Sequence, residues 1–281
     1  MLSSSFPPPP DVDLAAYAQL RALILEAGGI DLELYKGRCL LRRIAARQRA
    51  TGSGGLRDYL VLVRRDPIER GRLVKLLTIH VSQFFRNPST FHAIQAQVLP
   101  ALLAAKRHQG GRALRLWSVG CACGEEAYSL ALLLLESAPE ALREFSCAIY
   151  GTDIEPDCLR LARQACYPAA SLAHLPPAWR QRYFAPIGQR YQLQSAVRAL
   201  VTFRQHNILD PFPFRRVDLV VFRNVLIYMT EALQERLLLA LHEALGRPGF
   251  LVLGKVEGLA GTAQQRFVSL DAAERIYQKA E

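Results

Sequence analysis

Residues 116–130, Leu-Trp-Ser-Val-Gly-Cys-Ala-Cys-Gly-Glu-Glu-Ala-Tyr-Ser-Leu, constrain the fold of this chain more than any other stretch. An apolar run stops at Gly120, passes through small residues to Gly124 and opens into an apolar helix. That order predicts a strand, a tight turn and a helix N-terminus. Glycine loops that cradle phosphates leave the positive end of the helix open for an anion. Here Glu125 and Glu126 occupy that end, so a cationic or polyhydroxylated ligand fits better than a pyrophosphate. An ordinary strand-to-helix turn with acidic residues in its first helical turn satisfies the same pattern. A short glycine motif does not decide between the two.

The rest of the composition sets limits. With 281 residues, 51% of them apolar, the chain can hold one large domain or two modest ones around a sizeable core. No apolar run approaches the ~20 residues of a membrane-spanning helix, so no direct membrane insertion is expected. Residues 1–10 are rich in Ser and Pro without the basic start and apolar centre of a secretory signal, and read as a disordered tail. Cys39, Cys121, Cys123, Cys147, Cys158 and Cys166 form no paired framework, which suits reduced thiols in a cytoplasmic protein. Cys121 and Cys123 have no matching His/Cys pair, so no metal is expected. The net charge of +10 implies acidic partners, with nucleic acid, anionic membrane and acidic protein surface all open on charge alone.

Residues 11–86 read as an N-terminal helical domain, with helices near 14–25, 36–50, 56–63 and 68–77 and little strand-like alternation. Residues 87–111 read as a linker helix closed by Gly110-Gly111. From 112 to 281 the pattern changes. Leu114 to Val119, Ser146 to Tyr150, Val217 to Phe222 and Phe250 to Leu253 are short apolar runs, most of them separated by helical stretches, which predicts a parallel sheet wrapped by helices. Residues 182–203 break the alternation and read as a small antiparallel insert made of Tyr183-Phe184, Arg190 to Leu193 and Ala199 to Phe203.

Several residues fall where ligands bind in open α/β sheets, at the carboxyl ends of strands. Asp153 ends the second strand and suits a ribose hydroxyl, or equally a helix N-cap. Asn207 follows another predicted strand with an amide suited to a purine edge, or to a turn. Arg223-Asn224 ends the run 218–222. Phe84-Phe85-Arg86 closes the helical region, where packing aromatics and a surface charge are the plain alternative. S-adenosylmethionine, with a sulfonium, an ammonium, a ribose and no phosphate, matches such a set.

Taken in order, these motifs resemble the chemotaxis receptor methyltransferases, the CheR family. The resemblance runs from about Tyr17 to Tyr277: the Lys36 to Arg43 helix, Phe84-Phe85-Arg86, Cys121 to Glu126, Thr152-Asp153-Ile154, Arg223 to Tyr228 and Leu253 to Glu257. It implies a class I S-adenosylmethionine-dependent methyltransferase domain of Rossmann-like α/β fold, an N-terminal helical domain and a small antiparallel β insert. The implied reaction moves a methyl group from S-adenosylmethionine to glutamate side chains of a chemoreceptor's acidic cytoplasmic helical bundle, leaving S-adenosylhomocysteine.

The resemblance implies a cofactor site of His80, Ser82, Arg86, Glu126, Asp153, Asn207, Ile208, Arg223 and Asn224. Glu126 would face the ammonium, Asp153 the ribose, and Asn207 and Ile208 the adenine. Arg86 and Tyr228 would sit near the transferring methyl as catalytic residues. The family usually carries Asn where this chain has His80 and Thr where it has Ser82, so His80 adds bulk and a titratable group. Receptor binding would fall to Arg38, Arg42, Arg43, Arg47 and Arg49 on one acid-free helix, although a basic run is often only a solvated face. The short turn Ala185 to Gln189 argues that a tether to the receptor's C-terminal pentapeptide is not required. A nucleic-acid methyltransferase, or a non-catalytic module that binds S-adenosylmethionine, is the competing reading. The first lacks the Asn/Asp-Pro-Pro-aromatic segment usual in amine methylases and lacks aromatics interleaved in its basic helix.

Overall fold

The computed structural model describes residues 13–78 and 82–280, apart from the side chains of Arg38 and Cys39. The expected tail at 1–10 and His80 therefore lie outside the described residues. The chain divides into two compact units, one comprising the residues up to Ile79 with Tyr228–Leu233, the other His80–Ile227 with Gln234–Glu281.

The helical unit contains α1 (Leu14–Gly28), α2 (Gly37–Thr51), α3 (Leu56–Arg65) and α4 (Pro67–Leu77). Local chemistry sets their ends. Asp13 caps α1 by accepting the Ala16 N–H, and Gly29, in the left-handed region, closes it on the Leu25 carbonyl. Asp66 caps α4 through the N–H groups of Ile68 and Glu69, and Pro67 takes the first helical position, where no N–H is needed. Leu20, Ile24, Ile44, Tyr59, Val63 and Leu73 fill the core. The distant segment Tyr228–Leu233 belongs to this unit. Lys36 N–H donates to the Tyr228 carbonyl at 2.7 Å, Thr230 N–H to the Leu34 carbonyl at 2.9 Å, and Tyr35 bridges Met229.

In the second unit α5 (Pro88–Ala93) and α6 (Leu99–His108) are joined through a π-helical turn, Ile94–Val98. The larger sheet follows with β1 (Ala113–Val119) and β2 (Ser146–Asp153), connected by α7 (Glu125–Ser137) and α8 (Ala141–Glu144). Next come α9 (Pro156–Gln164), β3 (Cys166–Pro168), α10 (Pro177–Tyr183), β4 (Phe184–Ile187), β5 (Arg190–Leu193), α11 (Ser195–Arg198) and β6 (Val201–Gln205). The chain closes with β7 (Val217–Phe222), α12 (Glu231–Ala244), β8 (Leu245–Leu253), β9 (Phe267–Asp271) and β10 (Ile276–Lys279).

The described residues form a seven-stranded sheet of order β6-β2-β1-β7-β8-β10-β9 and a three-stranded sheet of order β3-β5-β4. The strands from β6 through β8 pair in parallel, while β10 runs antiparallel to β8 and to β9. The fold is the expected doubly wound α/β sheet with a helical N-terminal region and a small antiparallel insert. Two strand assignments change. The third strand of the insert is Cys166–Pro168, not Ala199 to Phe203, because Val201–Gln205 pairs with β2 in the large sheet. The terminal β9–β10 hairpin was not expected at all.

Helix α7 is buried on all sides, with Leu130, Ala131, Leu132, Leu133 and Leu134 each at most 2% exposed, as befits a helix apolar all round. No helix covers the crossing from β6 to β7. Residues 206–216, broken by Pro211 and Pro213, lay Phe212 and Phe214 edge-on to Trp117 and stack Phe214 on Tyr150 at 4.1 Å. Among the described residues no helix is long and apolar enough to cross a membrane, and no group of side chains could hold a metal ion.

Candidate active site

The carboxyl ends of β1, β2, β6 and β7 bring Glu126, Asp153, Asn207, Ile208, Arg223 and Asn224 into one unit, whereas Tyr228 falls in the other. The turn after β1 needs Gly120 and Gly124 in the left-handed region, at φ 67° and 92°. A Cβ at Gly124 would lie 2.8 Å from the Phe203 ring and 2.9 Å from Ala162, so the turn also requires bare backbone there.

Glu126 on α7 accepts from Ser118 Oγ at 2.8 Å and from Arg223 Nη1 at 3.2 Å. Burial pushes its carboxyl above the usual glutamate range, outweighing the pull of Arg223 and Ser118. Arg223 is buried, and its Nη2 donates to the Arg86 carbonyl and to Asn87 Oδ1, both at 2.8 Å. Its Nε is buried with no hydrogen-bond partner. The expected cofactor arginine is thus also a brace for the turn that carries Arg86.

Asp153 lies at the end of β2. Its Oδ2 accepts from Ala122 N–H at 2.8 Å and its Oδ1 from Glu155 N–H at 3.0 Å, so it pins the glycine turn to the second strand. A carboxylate can take further donors on the same oxygens. It is not the N-cap of α9, which is Glu155. Asn207 makes the turn that its alternative reading described, accepting Leu209 N–H on Oδ1 at 3.0 Å, with Ile208 inside that turn. Asn224 has φ 62°, held there by its N–H to Glu257 Oε2 at 2.8 Å.

Sequence reasoning gave Glu257 no individual role and saw in Glu125 only an acidic residue at the helix end. Glu257 is buried and accepts backbone N–H groups of Asn224, Ile227 and Gly254, fixing the loop after β7. The signal was its place in the motif Leu253 to Glu257, four residues past a strand end. Glu125 is buried beside Glu126. Burial pushes its carboxyl up against hydrogen bonds from Ser82 and Ser171, and its Oε2 has no partner. Ser82 therefore points a hydroxyl at α7, and Arg86 sits half-buried in the turn that follows.

Tyr228 belongs to the helical unit, where the Arg43 guanidinium lies over its ring at 5.6 Å. Arg43 also donates to the Leu76 carbonyl at 2.7 Å. Arg47 grips Glu69 through both carboxylate oxygens, and Tyr59 Oη donates to the same carboxylate at 2.9 Å. Arg43 and Arg47 thus have partners inside their own unit, whereas Arg42 and Arg49 are exposed.

The donor set of the sheet unit suits a zwitterionic ligand carrying a ribose. Glu126 is a desolvated carboxylate whose contact with Arg223 spans 3.2 Å, and Asp153 sets a second carboxylate at the end of β2. Glu125 and Glu126 at that helix end disfavour a polyphosphate.

The profile described as "CheR methyltransferase, SAM binding domain" matches residues 80–276, and that described as "CheR methyltransferase, all-alpha domain" matches residues 15–78. The "Chemotaxis protein methyltransferase" of Listeria monocytogenes is 32% identical over 86% of this chain and 90% of its own length. The "Chemotaxis protein methyltransferase 1" of Pseudomonas aeruginosa is 33% identical over 73% of this chain and 77% of its own. A 104.1 kDa protein of Rhodobacter capsulatus is 34% identical over 94% of this chain, which spans only 27% of it. Two profiles in register with the two structural units, over a sheet end that suits a sulfonium cofactor better than a phosphate, place this chain in the CheR methyltransferase family, with S-adenosylmethionine as its cofactor.

Proposed function

We propose that the chain methylates glutamate side chains on the cytoplasmic helical bundle of a chemoreceptor, producing glutamate methyl esters. One observation carries the reading. The buried Arg223 guanidinium joins Glu126 to the backbone of Arg86, so a single residue positions both a carboxylate suited to the cofactor's ammonium and an arginine suited to the acceptor.

Bound S-adenosylmethionine supplies an electrophilic methyl on a sulfonium. Glu126 would hold its ammonium with Arg223 behind it, Asp153 would hold its ribose, and Asn207 with Ile208 would border its adenine. Ser82 and Asn224 would complete that wall. The acceptor glutamate is already ionised at neutral pH, with a reference pKa of ~4.3, so no general base is needed. Arg86 orients it by paired N–H bonds. The gain is one of alignment. The exposed Arg42 and Arg49 face an acidic receptor surface, and the short β4–β5 turn works without a peptide tether. The enzyme acts in the cytoplasm.

The test is transfer of tritiated methyl from S-adenosylmethionine to receptor cytoplasmic fragments. Counts released as methanol by mild base mark carboxyl esters. Counts that stay bound through base treatment, or that transfer to nucleic acid instead, overturn the reading.

A further inference from the structure

The turn that carries Arg86 is held in a conformation its residues do not favour. Phe85 at φ 53° and Asn87 at φ 61° both lie in the left-handed region. A bulky aromatic there is an outlier, and such strain persists only where surrounding contacts over-determine it. Arg223 holds the far side of the turn, at the Arg86 carbonyl and Asn87 Oδ1. On the near side Phe84 N–H donates to the Ser171 carbonyl at 3.0 Å, and Phe85 N–H donates to Ser129 Oγ at 2.9 Å.

Ser129 stands in the middle of α7 with no exposed surface, among leucines and alanines that serve packing alone. A mid-helix serine ordinarily returns its hydroxyl to the carbonyl one turn back. Ser129 does so, donating to the Glu125 carbonyl at 2.6 Å, and its oxygen then faces outward as the acceptor of the buried Phe85 N–H among the described residues. The relay from Glu125 through Ser129 to Phe85 ties the first turn of α7, which carries Glu126, to the residue before Arg86.

We propose that Ser129 is a positioning residue for Arg86, fixing the left-handed Phe85 so that the guanidinium meets the acceptor carboxylate. The inference rests on the reading of Arg86 given above. Without the hydroxyl the buried Phe85 N–H loses its acceptor, the turn relaxes and Arg86 moves, while the cofactor contacts of Glu126 and Asp153 stay in place.

The test compares Ser129→Ala, Ser129→Thr and the core variant Leu103→Ala in the full chain, with S-adenosylmethionine and a receptor cytoplasmic fragment. For Ser129→Ala, kcat should fall about 10- to 100-fold, while cofactor affinity by calorimetry stays within about twofold of wild type. Ser129→Thr, which keeps the oxygen, should recover most of kcat, and Leu103→Ala should lose stability without losing kcat. Hydrogen exchange at the Phe85 amide gives a readout independent of turnover. It should quicken about tenfold or more in Ser129→Ala and stay unchanged in Leu103→Ala. Should Ser129→Ala not fold, Ser129→Cys takes its place with the same expectations. Unchanged exchange at Phe85, a wild-type kcat, or a parallel loss of kcat and cofactor affinity overturns the proposal. A wild-type chain that transfers no methyl, with the exchange effect intact, overturns the methyl-transfer reading and leaves the positioning of the turn standing.

Discussion

Two of the arginine–glutamate pairs, Arg47–Glu69 and Arg223–Glu126, differ in what they leave unfinished. In the helical unit Arg47 closes on both oxygens of Glu69 and Tyr59 adds a third hydrogen bond. Burial pushes Glu69 up, but those bonds outweigh it and its carboxyl ends below the usual range. In the sheet unit Arg223 reaches Glu126 through one contact of 3.2 Å, and there burial wins. Arg223 Nε and the neighbouring Glu125 Oε2 lack partners altogether. A saturated pair holds a fold together. An unsaturated one in a buried site is waiting for a ligand of complementary charge.

The comparison breaks first at Arg47. Arg47→Met strands a carboxylate that is only 3% exposed and should cost about 3 kcal/mol of stability in urea titration. Cofactor affinity at the sheet end should not change. A loss of affinity without a loss of stability would reverse the roles given to the two pairs.

Glu126→Gln should do the opposite. Removing the counter-charge for an ammonium should weaken S-adenosylmethionine binding about 100-fold in calorimetry, roughly 2.7 kcal/mol. Thermal stability should hold or rise, because a raised native pKa means that the neutral form is the better folded one. Glu69→Gln should lower it.

Charge reversal sharpens the division within α2. Arg42→Glu with Arg49→Glu should raise the receptor KM about tenfold and make it less salt-dependent, leaving cofactor affinity untouched. Reversal at Arg43 or Arg47 would confound the result, because their partners lie inside the unit.

The smallest effect concerns pH. Cofactor affinity should be full above the raised pKa of Glu126 and fall as the pH drops through it, with protons released on binding. The stability given by Glu69 runs on a different window. It is present above the unfolded value of ~4.3 and is lost only as the pH falls through the depressed native value. Titration of both against pH should give two separated steps.

Much of this is legible in the amino-acid sequence. The turn from Gly120 to Gly124 needs positive φ and bare backbone, and glycine advertises both. The four buried parallel strands announce themselves as short apolar runs. What stayed hidden depends on distance along the chain. Cys166–Pro168 is too short to carry a strand pattern, and the pairing of Val201–Gln205 with β2 or with the insert is settled only by packing. Helical periodicity puts Arg42 and Arg49 on one face, but it cannot say that Arg47 finds Glu69 twenty-two positions on. Glu257 was visible as part of a motif. Its three backbone acceptances were not, because a carboxylate that holds main chain leaves no periodic trace.

The membership of Tyr228–Leu233 in the helical unit has a practical consequence. A fragment cut near residue 79, where the two family profiles meet, would keep its four helices but forfeit the strand-like neighbour of Tyr35 and the acceptor of Lys36 N–H. The backbone partners of Tyr35 and Lys36 are synthesised about 190 positions later, so on the ribosome those contacts close only after most of the sheet has been made.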